Sequence, residues 1–198
     1  MALVSGIAPP NLPVAPGQYE RRYQDQFSNA LRLFFNGLTN EINSPLPHAS
    51  YYDTTTQTNP VADAVNLFTY NSAVTEFQIA RSNPTSKVYV NDTGLYNFQF
   101  SAQLDKTGGG ASAVYIWPRV NGVNVPDSAS KVVIDGPNSE IIPAWNFFLV
   151  MQAGDYFELA WQSNDTNVIV AAASPSGNIP GIPSIILTVN WVSRYEQA

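Results

Sequence analysis

The chain has 198 residues (21.6 kDa) and a formal net charge of −6, and only 12% of its residues are charged, against the ~25% usual in globular proteins. It has no cysteine and one histidine, which excludes disulfide scaffolds, zinc–thiolate sites, thiol nucleophiles and histidine-cluster metal sites. The negative net charge argues against a protein that binds a phosphate backbone, so we expect no nucleic-acid partner.

Residues 1–17 show no targeting signal. The first basic residue is Arg21, whereas a secretory signal begins with a basic region. No stretch approaches the ~18 apolar residues of a membrane span, since Pro143 and Asn146 interrupt the most apolar run, residues 141–151. We therefore expect a protein that is made in a cytoplasm and has no membrane partner.

The same residues, 1–17, are predicted to form an extended arm. Four prolines within sixteen residues favour a polyproline-like chain and exclude a helix. A frayed terminus is one interpretation. The other is a segment that docks on another protein through its apolar side chains, which are Leu3, Val4, Ile7, Leu12 and Val14.

Residues 18–43 are predicted to form an amphipathic helix about 35 Å long. Apolar residues recur every three or four positions, which is the helical period. The helix packs either on its own domain or in a short bundle around a symmetry axis, and the stripe alone does not distinguish two strands from three. The residues expected at such a contact are Tyr23, Phe27, Ala30, Leu31, Phe34 and Leu38.

Residues 44–198 have the pattern of an all-β domain. In 94–105, apolar and polar residues alternate, as expected for a half-buried antiparallel strand. Eight or more short strands separated by Asn-Gly, Gly-Asp and Gly-Gly turns predict a β sandwich or jelly roll. Pro118, inside a predicted strand, indicates a sheet edge or a bulge. Further strands are predicted at 74–80, 87–90, 114–120, 131–134, 144–151, 156–162, 168–172 and 184–192.

Several segments of the predicted strands resemble the C1q and tumour-necrosis-factor family of jelly-roll trimers. Gly94-Leu95-Tyr96-Asn97-Phe98 is similar to the start of that family's central strand, and residues 114–122 resemble its strand that ends in an Asn-Gly turn. Residues 149–159 resemble a later segment in which a Gly-Asp turn leads into an apolar strand, and residues 185–191 resemble the family's last strand. The resemblance implies a C1q/TNF-like antiparallel sandwich that forms a homotrimer, with the helix stripe as a trimer contact or stalk. A collagen stalk and a calcium-binding carboxylate cluster are missing from the pattern.

The N-terminal part supplies a second resemblance. The proline-rich arm, followed by residues 18–23 and 30–36, looks like the start of structural proteins of tailed bacteriophages, especially cyanophages. This implies a virion protein assembled in the host bacterial cytoplasm, with the major capsid protein or another virion protein as partner. A capsid decoration (cement) trimer is the first expectation, and a head or tail fibre tip that binds a host-surface glycan is the alternative.

An enzyme is not expected. His48 lies between Pro47 and Ala49 in a predicted connector, and there is no Gly-x-Ser-x-Gly motif for a nucleophile. The acidic residues are scattered, mostly at predicted turns, where their side chains stabilise the turn itself. We therefore predict no catalytic residues, no metal site and no cofactor.

If a glycan is bound, its contacts are predicted at Trp161, Asn164 and Asp165, near the end of one strand. A tryptophan in an alternating strand can instead belong to the core or to a subunit contact.

Overall fold

The computed structural model describes residues 8–82 and 85–195, except the side chains of Glu41 and Ile42. The chain divides into two compact units, residues 1–45 and residues 46–198.

The first unit contains the helix α1, Arg21–Ile42. Residues 8–20 have no helix or strand, in keeping with the prolines in that segment. The helix begins three residues later than predicted, after Pro16 and Gly17. Its first turn carries an exposed Arg21–Asp25 pair at 4.0 Å, which contributes little because solvent screens it.

The second unit is built from antiparallel strands. Those in its described residues are β1 (His48–Asp53), β2 (Gln57–Thr58), β3 (Asn66–Leu67), β4 (Ser72–Phe77), β5 (Ile79–Arg81), β6 (Val88–Val90), β7 (Gly94–Ala102), β8 (Leu104–Lys106), β9 (Ser112–Val120), β10 (Val123–Asn124), β11 (Ser130–Ile134), β12 (Ser139–Ile141), β13 (Ala144–Met151), β14 (Tyr156–Ser163), β15 (Val168–Val170) and β16 (Ile185–Ser193).

The strand order is that of a jelly roll. The first sheet has the order β13-β7-β16-β1-β4. The second has the order β10-β9-β14-β6-β5, with β11 also paired to β9 and β3 to β14, and a small third sheet has the order β12-β8-β15-β2. Eight strands, taken in chain order, pass from one large sheet to the other at every step except the β9–β11 hairpin. These strands are β1, β6, β7, β9, β11, β13, β14 and β16. The predicted jelly-roll sandwich is therefore confirmed.

The alternation in the sequence places the core between the two large sheets. In β7, buried and more exposed residues alternate over nearly the whole strand. Phe98 on β7 stacks on Phe157 of β14, with ring centroids 4.1 Å apart and an interplanar angle of 14°, which joins the two sheets. Phe68 extends this aromatic core, since its ring lies 6.5 Å from Phe100 and 5.9 Å from Trp161.

Pro118 lies in a central strand and not at a sheet edge, which was one of the two expectations for it, the other being a bulge. β9 pairs with β14 on one side and with β11 and β10 in turn on the other. The first residue of β11, Ser130, pairs with Ile116, and the last residue of β10, Asn124, pairs with Arg119. Pro118 falls between these two partners, where the ladder needs no N–H, which explains why the sheet tolerates it.

Gly94 begins β7 because no larger residue fits there. A Cβ at this position would overlap the Trp191 indole and lie 2.7 Å from the Ser193 carbonyl oxygen. Close approach of two backbones is one of the physical reasons for a glycine in a strand.

We expect Gly94→Ala to destabilise the fold by about 1–3 kcal/mol, the usual effect of overpacking a core. Gly110→Ala is the matched control, since a Cβ there meets nothing within 4 Å. Urea unfolding at one chain concentration measures both variants. If the two variants are equally stable, β16 shifts at little cost to accommodate the added methyl group, and the explanation given for Gly94 is wrong.

Candidate self-association surface

The helix carries its apolar residues on one side, as predicted. The six predicted contact residues are all half-buried, and Tyr23 stacks on Phe27 with ring centroids 6.1 Å apart. Leu33 and Phe35 are 61% and 55% exposed, so the apolar surface extends beyond the stripe in the second half of the helix. An amphipathic helix with this much exposed apolar surface is suited to contact a partner.

The predicted docking residues of the arm are only partly described. Leu3, Val4 and Ile7 lie outside the described residues. Leu12 and Val14 are both exposed, and Val14 has nearly its whole side chain in solvent.

The outer face of the first sheet has no charged side chain on four adjacent strands of its five, β13, β7, β16 and β1. Residues whose side chains point away from the core alternate with buried ones along β13, β7, β16 and β1. We call these residues the uncharged face. They are Ala144, Asn146, Phe148 and Val150; Leu95, Asn97, Gln99 and Ser101; Ile186, Thr188 and Asn190; and His48, Ser50 and Tyr52.

The strand registers align the uncharged face in rows. Asn146 is paired with Gln99, Gln99 with Thr188, and Thr188 with Ser50, which gives one row of uncharged polar side chains across four strands. Large apolar side chains flank this row. Phe148 is 58% exposed, and Val150 and Ile186 are exposed as well.

Two depressions mark the uncharged face. The larger, about 610 Å³, lies over Tyr52, Ile186 and the segment 172–183. The smaller, about 330 Å³, lies over Gln99, Thr188 and Asn146, and it also touches Ile186. Exposed apolar groups, uncharged polar groups and concave shape together are typical of the buried centre of a protein interface.

His48 belongs to the uncharged face, so its prediction as part of a connector is corrected. It begins β1, with Nδ1 2.8 Å from the Leu46 carbonyl oxygen and Nε2 3.2 Å from the Thr75 hydroxyl. Its ring also stacks on Phe77, at a centroid distance of 6.0 Å. Both ring nitrogens therefore have partners within the fold.

The outer face of the second sheet differs from the uncharged face because it carries charge. Arg119 on β9 faces Glu158 on β14, with 3.7 Å between guanidinium and carboxylate. Lys131 lies 5.7 Å from the centre of the Tyr115 ring. The sparse charge of this chain is therefore unevenly distributed between the two faces.

The predicted glycan contacts are not confirmed as a group. Trp161 is 1% exposed and packs on Phe68 in the core, so it cannot stack on a sugar. Asn164 accepts a hydrogen bond from the Ala113 N–H at 3.3 Å. The alternative interpretation of Trp161, as a core residue, is the correct one.

Asp165 is part of a polar cluster built around a fully buried lysine. Lys106 Nζ lies 2.6 Å from Asp165 Oδ2 and also donates to the Ser112 hydroxyl. The Asn167 N–H donates to the other carboxylate oxygen at 2.9 Å. The hydrogen bond from Lys106, then that from Asn167, holds the pKa of Asp165 well below its usual range. The cluster ties the end of β14 to β8 and β9, which is a structural role.

In the part of the chain that the structure describes, no group of three or more His, Asp or Glu residues is placed to hold a metal ion. Among the described residues, α1 is too polar to be a membrane-spanning helix.

The sheets and their registers define the class: an antiparallel jelly-roll domain preceded by one helix. Among solved structures, the chain is similar to the globular domain of zebrafish complement 1qA protein, with a TM-score of 0.46 and 14% sequence identity. The match covers 76% of this chain and 100% of that chain. No protein-family model matches the sequence, and no curated protein matches it either.

Proposed function

We propose that the protein is a non-enzymatic structural protein that assembles with copies of itself through the uncharged face and the helix stripe. The uncharged face carries this proposal. In a chain with this acidic net charge, four adjacent strands without a charged outward residue can be buried without desolvating a charge, and burial removes Phe148, Val150 and Ile186 from water.

The proposed assembly is a homotrimer. The helix stripe supplies apolar contacts for a short bundle, with Phe27, Leu31 and Phe34 at its centre. The resemblance of the strand sequences to those of jelly-roll trimers favours three copies over two. A closed ring of three copies also leaves no contact surface unpaired at an end.

The proposed role is capsid decoration. A trimer matches the threefold and quasi-threefold positions of an icosahedral shell, so that three identical arms each reach one neighbouring capsid subunit. Three weak arm contacts add through effective concentration, and binding to the assembled shell alone stabilises it by mass action. The prolines of the arm reduce the entropy lost when it docks.

Truncation tests the role of the arm. A chain that begins at Gln18 should keep the oligomeric mass and melting temperature of the full chain, because residues 8–17, the described part of the arm, belong to no helix or strand. It should fail to join particles of a phage that encodes the protein. Incorporation of the truncated chain at the level of the full chain would refute docking by the arm.

The location and copy number in the particle test the decoration role itself. Many copies spread over the head, measured by quantitative mass spectrometry and electron microscopy, are expected for a decoration protein. A few copies confined to the tail would contradict it and favour a fibre tip.

A further inference from the structure

A cleft of about 600 Å³ lies on the outer face of the second sheet. Its floor consists of Tyr115 and Trp117, which are two residues apart on β9 and therefore point to the same side. The segment 124–129 forms one wall, and Gln162 on the neighbouring strand β14 forms the other. This volume is within the usual range of small-ligand sites.

The aromatic floor is held in a fixed position. The Trp117 indole N–H donates to Asn124 Oδ1 at 2.9 Å, and the Val125 N–H donates to the Pro118 carbonyl oxygen at 3.1 Å. Tyr115 is 40% exposed, so its ring is open to a ligand, whereas Trp117 is 8% exposed and supports the floor from beneath. Rigid aromatic side chains bind with little loss of conformational entropy.

Polar groups surround this floor and have hydrogen-bonding capacity to spare. Asn124 uses its carbonyl oxygen for Trp117, which leaves its amide N–H groups as donors. Gln162 uses its amide for the Asp63 carbonyl oxygen at 2.8 Å, which leaves its own carbonyl oxygen as an acceptor. Within residues 8–82 and 85–195, the Asp127 carboxylate makes no hydrogen bond or ion pair and is a second acceptor.

Asp127 is also held in an unusual backbone conformation, with a φ of 54°. Ser128 fixes the turn by donating to the Val125 carbonyl oxygen at 2.6 Å. Such conformations persist when the surrounding structure enforces them, and they are enriched at functional sites.

We propose that this cleft binds a neutral saccharide. A pyranose ring has an apolar C–H face, which fits the exposed Tyr115 ring, and a rim of hydroxyl groups that both donate and accept. Neighbouring hydroxyls can donate to the Asp127 carboxylate while accepting from the Asn124 amide. The negative charge of Asp127 disfavours acidic sugars.

This site is separate from the uncharged face, because the two lie on outer faces of different sheets. The two proposals therefore rest on different residues, and the failure of one leaves the other standing.

NMR of the full-length ¹⁵N-labelled protein tests the proposal. The chain has four tryptophans, so four indole N–H signals report on separate places, and Trp117→Phe assigns the signal in the cleft. The probes are lactose, maltose, cellobiose and mannobiose, with sorbitol as an open-chain control. We expect a saturable shift of the Trp117 signal with at least one disaccharide, while Trp161 in the core stays unchanged.

Variants then assign the contacts. Tyr115→Ala should weaken binding about tenfold, since it removes the exposed stacking surface. Asp127→Asn keeps the side-chain shape and should weaken binding less, since a neutral acceptor replaces a charged one. Val123→Ala, an exposed residue outside the cleft, should leave binding unchanged. The proposal is overturned if no disaccharide gives a saturable Trp117 shift at its highest soluble concentration, or if Tyr115→Ala binds as tightly as the natural chain.

Discussion

Phe148→Asp should convert the assembled protein into single chains at micromolar concentration. Phe148 is 58% exposed on the uncharged face, so the aspartate costs little in an isolated chain. In an assembly that buries this face, it would be a buried carboxylate without a partner, which costs several kcal/mol at each contact. Because each 1.4 kcal/mol is tenfold in affinity, a symmetric assembly that repeats the change loses many orders of magnitude.

The matched control is Val133→Asp on β11. Val133 is 53% exposed, nearly the same as Phe148, but it lies on the outer face of the second sheet. Light scattering should give the full oligomeric mass for Val133→Asp and the mass of one chain for Phe148→Asp, with melting of the β domain detectable in both. If Phe148→Asp keeps the oligomeric mass, the uncharged face is not the contact.

Asp165→Asn should destabilise the β domain by about 3 kcal/mol. It removes the counter-charge of Lys106, whose side chain is fully buried, while the amide oxygen still accepts the Asn167 N–H. Breaking a buried ion pair from one side costs about 3–5 kcal/mol, and the lower end applies here because Asp165 is 20% exposed.

The double variant Lys106→Met with Asp165→Asn is the control. It removes the uncompensated ammonium group and should recover most of the lost stability, since an apolar side chain of similar length fills the space. Urea unfolding at one chain concentration measures all three proteins. A loss below about 0.5 kcal/mol in Asp165→Asn, the level of an ordinary surface change, would show that the pair does not stabilise the fold.

The pair also predicts a pH dependence. The pKa of Asp165 is lowered in the folded state, so its contribution is present above the unfolded pKa of about 3.9 and is lost as the pH falls through the folded pKa. The stability difference between the natural chain and Asp165→Asn should therefore be full at pH 7 and shrink progressively below about pH 4.

Much of the fold could be predicted because local patterns determine it. The regular alternation in 94–102 predicts β7, and the apolar stripe predicts α1 within three residues at its start. β1 was missed because its inward positions are Ala49, Tyr51 and a buried Asp53, which breaks the apolar pattern. Asp53 is stabilised by a local hydrogen bond from the Thr55 N–H and by one from the Thr69 hydroxyl, which only the folded chain brings close to it.

The candidate site was harder to predict because it depends on strand register. The row from Asn146 to Ser50 joins four strands that are far apart in sequence, so no local pattern reveals a face without charge. The same holds for Lys106 and Asp165, which are 59 positions apart. The place of Trp161 could not be predicted from its local sequence, because a tryptophan beside polar turn residues has the same local sequence in a core as in a sugar-binding site.

The mass of the natural chain in solution tests the central claim most directly. Sedimentation equilibrium at micromolar concentration should give three times the chain mass of 21.6 kDa. A stable dimer would contradict the trimer while preserving self-association, and a mass of one chain over the whole concentration range would contradict the account as a whole.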